Sequence, residues 1–221
     1  MKMFLTSAGI TNPSLHDALL GLLGKPIAEC SALCIPTASY AQPWGPGSAW
    51  RFISGLEPQT PMVELGWKSV GVLELTALPS VDTSIWEPTV RETDVLLVSG
   101  GDPMYLHYWM RQSGLADLLP SLDLVYVGFS AGSMVMTPRI GSFFVDWTPP
   151  TGDDETLGVV DFSIFPHLGH PDLPHNTMAN AEKWAADLSI PAYAIDDATG
   201  ITMIDGTVEV ISEGQWKRFN S

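Results

Sequence analysis

The chain has 221 residues, 45% of them hydrophobic, and a formal net charge of −15 at pH 7. This composition excludes a disordered chain and suits a single α/β domain spanning residues 1–221. The excess of acidic residues argues against nucleic acid and against anionic membrane surfaces as partners.

Strands and helices are predicted to alternate through most of the chain. Apolar and β-branched runs predict strands at residues 3–8, 28–36, 70–75, 94–99, 124–127 and 159–165. Apolar spacing predicts a first helix that is capped near Asn12 or Ser14 and closed by Gly24, and further helices at residues 50–56, 61–68, 84–91, 104–113 and 177–188. The C-terminal runs 193–195, 200–204 and 207–212 predict a closing antiparallel set.

This order of elements predicts the fold class. Repeated strand–loop–helix units indicate a three-layer α/β fold, in which a mostly parallel sheet has helices on both faces. The closing strands would form a small antiparallel C-terminal extension. Ligands of such sheets bind beyond the carboxyl ends of the strands, where Gly101 and Ser130 are both expected.

The sequence Gly-Phe-Ser-Ala-Gly at residues 128–132 fits the G-x-S-x-G pattern of a nucleophile elbow. Glycines two residues either side allow a sharp strand-to-helix turn that exposes the hydroxyl of Ser130. The next backbone N–H, that of Ala131, would then face a developing oxyanion. A second N–H donor is expected from Gly101, because a Gly-Gly pair permits close approach of the backbone.

A serine nucleophile needs a base and an orienting acid. His167 follows a predicted strand end and is the expected base. Asp146 lies between Ser130 and His167 and is the expected acid. Other carboxylates in this part of the chain compete for that role, namely Asp153, Asp154, Glu155 and Asp161.

Two further readings of reactive side chains are weaker. His170, Asp172 and His175 could suggest a metal site, but their spacing lacks a helical zinc-binding pair, so we expect no metal. Cys30 and Cys34, in one predicted strand, would lie roughly 13 Å apart, too far for a disulfide. Free thiols indicate a reducing compartment, and the short apolar N-terminal run suits a strand better than a signal peptide, so the cytoplasm is expected.

Taken together, these segments resemble peptidase family S51, the group of peptidase E (aspartyl dipeptidase) and cyanophycinase. The resemblance is carried by residues 98–106, 128–133, 165–167 and 194–200. It implies a fold like that of class I glutamine amidotransferases, with Ser130 as nucleophile, His167 as base, and Gly101 and Ala131 as oxyanion donors. It also implies peptide substrates and no cofactor.

The chain departs from the family pattern near the predicted site. Gly-Gly-Asp-Pro replaces the usual Gly-Gly-Asn-Thr, which places Asp102 beside the oxyanion loop. Asp102 is therefore a candidate substrate-binding residue. His170, which follows the expected base closely, and Trp147, an aromatic residue in a loop, are two further candidates. No arginine follows His167 in the adjacent loop to hold a substrate aspartate, so a strict aspartyl preference is not expected.

The sequence thus predicts a serine peptidase of the dipeptidase or exopeptidase type that acts on small peptides through an acyl-enzyme. Two alternatives stay open: a catalytically silent binding or regulatory module on the same fold, and an esterase or amidase for a non-peptide substrate. A glutamine amidotransferase would need cysteine at position 130, where this chain has serine.

Overall fold

The structure is a computed structural model that describes residues 1–56 and 58–220. Within these residues, the strands are β1 (Lys2–Thr6), β2 (Ser31–Ile35), β3 (Ser69–Val72), β4 (Val95–Val98), β5 (Val125–Phe129), β6 (Ser163–Phe165), β7 (Ala192–Ile195), β8 (Thr199–Ile204), β9 (Thr207–Ser212) and β10 (Trp216–Phe219). The α-helices are α1 (Pro13–Leu23), α2 (Gly45–Ile53), α3 (Thr83–Glu92), α4 (Pro103–Gln112), α5 (Leu115–Leu118), α6 (Ala131–Met134) and α7 (Met178–Leu188).

The main sheet has seven strands in the order β3-β2-β4-β5-β1-β8-β9. Strands β3, β2, β4, β5 and β1 run parallel to one another. β8 pairs antiparallel with β1, and β9 pairs antiparallel with β8 at the edge of the sheet. Helices flank this sheet, so the predicted mostly parallel α/β fold is confirmed.

Alternating side chains of the central strands pack into two separate cores. In β4, Leu96 and Val98 join one apolar cluster, while Val95 and Leu97 join the cluster on the opposite face. All four residues of β4 are buried. A strand buried on both faces needs the continuous apolar run that made this segment recognisable in the sequence.

Two local signals place the first helix as predicted. The Asn12 side chain accepts a hydrogen bond from the Leu15 N–H at 3.0 Å, and Gly24 closes α1 in a left-handed conformation with φ 68°. Both devices satisfy backbone groups that a helix end leaves unpaired. In the described part of the chain, no helix is long and apolar enough to cross a membrane.

Two predictions about elements are wrong. Residues 61–68 form turns instead of a helix, because their backbone serves other partners: the Pro61 carbonyl accepts from Ile10, and the Met62 carbonyl accepts from the Trp67 indole. The C-terminal strands do not form one antiparallel set. β8 and β9 extend the main sheet, while β7 pairs with β6 and β10 in a separate three-stranded sheet.

The carboxyl ends of β1, β4 and β5 lie at one edge of the main sheet, because these strands are parallel and in register. β8 runs in the opposite direction and begins at the same edge, where Gly200 pairs with Thr6. Segments that follow β4 and β5 and the segment that precedes β8 therefore meet there.

Glycine is required where β5 turns into α6. A Cβ on Gly132 would overlap the carbonyl oxygen of Val98 in β4. We expect Gly132→Ala to lower the free energy of unfolding by about 1–3 kcal/mol, since backbone would have to move. Urea unfolding measures the change.

Gly21→Ala is the matched control for this substitution. Gly21 lies inside α1, and a Cβ there would have no neighbour within 4 Å. We expect Gly21→Ala to be neutral or to stabilise by up to about 1 kcal/mol. Equal effects of the two substitutions would contradict the steric explanation.

Candidate active site

Ser130 occupies a strained turn between β5 and α6. Its backbone angles are φ 50° and ψ −116°, a conformation that residues with a Cβ rarely adopt. Its N–H donates to the Thr6 carbonyl of β1 at 3.1 Å, and its carbonyl accepts from Ser133 and Met134 at 2.9 Å. These hydrogen bonds on both sides hold the strained residue, which is only half-buried.

The Gly100–Gly101 loop after β4 lies directly beside Ser130. A Cβ on Gly100 would stand 3.2 Å from the Ser130 Cβ, and Gly101 has φ 138° and is pressed against the Ala38 backbone. Among the described residues, the N–H groups of Gly101 and Ala131 have no hydrogen-bond acceptor. Two unpaired donors thus remain next to the serine.

Ser130 lies where two open cavities meet. The first cavity, of about 380 Å³, and the second, of about 430 Å³, both have walls of mixed polar and apolar residues. The residues that line both cavities are Gly101, Ser130, Asp146, His167 and Leu173. The two cavities therefore form one cleft, and both Ser130 and His167 line it.

His167 is paired with Asp197, which precedes β8. The Nδ1 atom of His167 lies 2.7 Å from Oδ1 of Asp197. The expected acid, Asp146, lines the cleft but does not make this contact, so the structure corrects that assignment. The remaining candidates, Asp153, Asp154, Glu155 and Asp161, do not make it either; Asp154, for example, pairs with Arg139 at 2.9 Å.

Ser7, at the end of β1, connects the two members of this pair. Its hydroxyl donates to Asp197 Oδ1 at 2.8 Å and accepts from the backbone N–H of His167 at 2.7 Å. The Ser7 residue is fully buried, and His167 itself has φ 56°. A single hydroxyl thus fixes both the carboxylate and the strained backbone that carries the imidazole.

The pKa of the Asp197 carboxyl is lowered from its ordinary value. Burial by itself would raise that pKa, but hydrogen bonds from His167 and Ser7 and the nearby imidazoles of His167 and His170 outweigh it. The carboxylate is therefore held in its charged form beside Nδ1 of His167.

The three candidate substrate-binding residues are not among those that line the two cavities. Asp102 is 1% exposed, and its carboxylate accepts from the N–H groups of Tyr105 and Trp147, both at 2.8 Å. The Trp147 ring packs on Tyr105 and is not among the residues that line either cavity. His170 lies beside Asp197, with its Nε2 3.7 Å from Oδ2, and its ring centroid is 6.1 Å from that of His167. The assignment of Asp102 is corrected, because its buried carboxylate binds backbone N–H groups, whereas His170 and Trp147 stay predictions.

The cysteines do not take part in the cleft. Cys30 and Cys34 are free and buried in an apolar cluster, and burial raises the pKa of Cys34 to about 11. A thiol of this kind is a poor nucleophile at neutral pH. In the described part of the chain, no group of three or more His, Cys, Asp or Glu side chains is arranged to hold a metal ion.

The sequence contained signals for the two residues that were missed. Asp197 follows the predicted strand 193–195, just as His167 follows a strand, and the same edge rule applies to both. Ser7 lies within the predicted first strand, at its carboxyl end. Neither signal is specific, because it identifies an edge of the sheet and not a partner.

Comparisons with known proteins show the family of this chain. The model of "Peptidase family S51" matches residues 3–211, which confirms the resemblance drawn from the sequence. No curated protein has a significantly similar sequence.

Two similar solved structures share the fold. A candidate peptidase E protein from Listeria monocytogenes EGD-e superposes with a TM-score of 0.69 at 18% identity, covering 96% of this chain and 98% of its own. A peptidase from an acI-B1 Actinobacterium gives a TM-score of 0.65 at 19% identity, covering 100% of this chain and 94% of its own.

The role of Ser7 can be tested without an activity assay. We expect Ser7→Ala to raise the pKa of Asp197, because one hydrogen bond to the carboxylate is lost, and to cost about 1–3 kcal/mol of stability. A carboxyl with a lowered folded pKa stabilises the fold above its unfolded pKa of about 3.9, and loses that effect as pH falls through the folded pKa. In Ser7→Ala the folded pKa lies closer to the unfolded one, so this loss is smaller and ends at a higher pH.

The measurement is an NMR titration of the Asp197 side-chain carboxyl together with urea unfolding. Ser163→Ala is the matched control, because Ser163 is also fully buried and donates to the Arg139 carbonyl at 2.5 Å. It should lose comparable stability with no change at Asp197. An unchanged titration of Asp197 in Ser7→Ala would rule out this role.

Proposed function

The chain belongs to peptidase family S51 and is a serine peptidase; on that premise we propose that Ser130, His167 and Asp197 form its catalytic triad. The observation that carries the proposal is the hydrogen bond between Nδ1 of His167 and the Asp197 carboxylate, because His167 lines the same cleft as Ser130. The proposed reaction is hydrolysis of small peptides, of the dipeptidase or exopeptidase type, through an acyl-enzyme. The two cavities are each of a size typical of small-ligand sites, which suits a short substrate.

The triad roles follow from the orientation of the imidazole. Because Nδ1 of His167 is engaged by Asp197, the neutral ring carries its proton there and presents an unprotonated Nε2. In the proposed mechanism Nε2 takes the proton of the Ser130 hydroxyl as the oxygen attacks the scissile carbonyl. The resulting imidazolium then protonates the leaving amine, and water repeats the sequence to release the acid.

The oxyanion of the tetrahedral intermediate would be bound by the N–H groups of Gly101 and Ala131. Both are unpaired among the described residues and both adjoin Ser130, as a nucleophile elbow requires. Neutral backbone donors suit this acidic chain, because they stabilise negative charge without a cationic side chain. In the described structure the Ser130 hydroxyl makes no hydrogen bond, and such contacts commonly tighten when substrate binds.

The proposed location is the cytoplasm. It is supported by the two free buried cysteines, which persist as thiols in a reducing compartment.

Replacing each triad member tests the assignment. We expect Ser130→Ala to abolish peptide hydrolysis and labelling by a fluorophosphonate probe. Asp197→Asn should lower kcat by about 1,000- to 10,000-fold, because the amide favours the wrong imidazole tautomer. Asp146→Asn is the discriminating control, and should leave kcat and the labelling rate close to wild type.

Stopped assays on a dipeptide panel give kcat, and gel fluorescence gives the labelling rate. Loss of labelling in Asp146→Asn, with normal labelling in Asp197→Asn, would assign the acid to Asp146 instead. A wild-type protein that is folded but neither labels nor cleaves any peptide would identify a silent binding module.

A further inference from the structure

We propose that the cleft selects short peptides with a free α-ammonium group and an apolar N-terminal side chain, and that Asp146 binds the ammonium. This inference rests on the proposed peptidase function, because it names the substrate class of the same site.

Asp146 is the acidic side chain that both cavities share with Ser130 and His167. In the part of the chain that the structure describes, its carboxylate has no ion-pair or hydrogen-bond partner. A carboxylate that is unpaired and next to the reacting serine is available to a cation on the substrate.

The backbone at Asp146 is held in place through Trp147, the residue that follows it. The buried Asp102 carboxylate accepts from the Trp147 N–H at 2.8 Å, and its other oxygen caps α4 through the Tyr105 N–H. The Trp147 ring packs against Tyr105 and Tyr108, with ring centroids 5.5 Å apart in each case. The backbone next to Asp146 is thereby tied to the loop that precedes α4 before substrate arrives, and the exposed Asp146 side chain extends from this held backbone.

The position beside Ser130 favours an α-ammonium over a longer cationic side chain. In a substrate cleaved after its first residue, the ammonium nitrogen is two bonds, or roughly 2.5 Å, from the attacked carbonyl carbon. A group that binds it must therefore border the same space as the nucleophile, and Asp146 does so in both cavities. The ammonium of a lysine side chain would lie several bonds further away.

The charge of the cleft disfavours acidic substrate residues. Within residues 1–56 and 58–220, neither cavity is lined by lysine or arginine. The basic groups present are the imidazoles of His167, which is engaged by Asp197, and of exposed His175 at the first cavity. A substrate carboxylate would meet Asp146 without a permanent cation to bind it, in a chain of net charge −15.

The first cavity accounts for the apolar side chain. Its apolar wall consists of Pro103, Met134, Phe143, Phe144, Pro166 and Leu173. The ring of Phe144 is supported from behind by Phe165 at 5.0 Å and Trp184 at 6.2 Å between ring centroids. A wall backed in this way is preformed, and it returns binding free energy only to a side chain that is itself apolar.

The test compares dipeptides that differ only at the N-terminal residue. Wild type should cleave Leu-Leu and Phe-Leu with kcat/KM at least tenfold above Asp-Leu and Lys-Leu, and N-acetylation of Leu-Leu should lower kcat/KM by about 10- to 100-fold. On free Leu-Leu, Asp146→Asn should lower kcat/KM by the same factor, mainly by raising KM. On N-acetyl-Leu-Leu its kcat/KM should equal that of wild type. Asp153→Asn, an exposed carboxylate outside the cleft, is the matched control and should not change.

Binding to the inactive protein separates this inference from the peptidase mechanism. Calorimetry with Ser130→Ala should detect Leu-Leu, and adding Asp146→Asn should weaken that binding by about 10- to 100-fold. Such binding without any hydrolysis by wild type would reject the proposed function and keep the ammonium site. Hydrolysis by wild type with a preference for Asp-Leu, a preference for Lys-Leu, or equal rates on acetylated peptides would keep the peptidase and overturn this inference.

Discussion

The arrangement of the site depends on how closely the turn at Ser130 approaches its neighbours. Gly128 and Gly132 leave no room for a Cβ, because one lies against the backbone of the other and Gly132 also lies against the carbonyl of Val98. The parallel sheet brings β1 and β4 to either side of β5, so that both can hold this turn. Thr6 accepts the Ser130 N–H from one side, and the Gly100–Gly101 loop closes in from the other. Contacts at the ends of β1, β4 and β5 thus hold Ser130 in its strained conformation.

The histidine is positioned by a second set of contacts at the same edge. Ser7 continues β1 beyond Thr6, and Asp197 precedes β8, which pairs with β1. The shared neighbour β1 therefore supports both the serine turn and the hydroxyl that joins Asp197 to His167. One strand in the middle of the sheet thus positions both Ser130 and His167, although their segments belong to different sheets.

Asp102 illustrates how a departure from a family pattern can be structural and still affect function. At a helix start, an aspartate satisfies backbone N–H groups as well as an asparagine does. Here its second oxygen also accepts from the Trp147 N–H. The pKa of the Asp102 carboxyl is raised by burial, and its hydrogen bonds to backbone N–H groups oppose this only in part. The acidic side chain that lines the cleft is instead that of Asp146, the residue before Trp147. The buried acid orders the loop, and the exposed acid remains free to contact a ligand.

The sequence by itself determined the elements whose causes are local. The apolar run of β4, the helix cap near Asn12, the glycine spacing around Ser130 and the Pro-His end of a strand depend on neighbouring residues. The fold class and the position of Ser130 and His167 at one edge of the sheet could therefore be predicted. The tertiary structure decided the rest. Asp197 and Ser7 are 190 residues apart in sequence but share a hydrogen bond, because β8 returns antiparallel beside β1. The order of carboxylates along the chain favoured Asp146, whereas strand direction brought Asp197 to the imidazole, and no local pattern encodes strand direction.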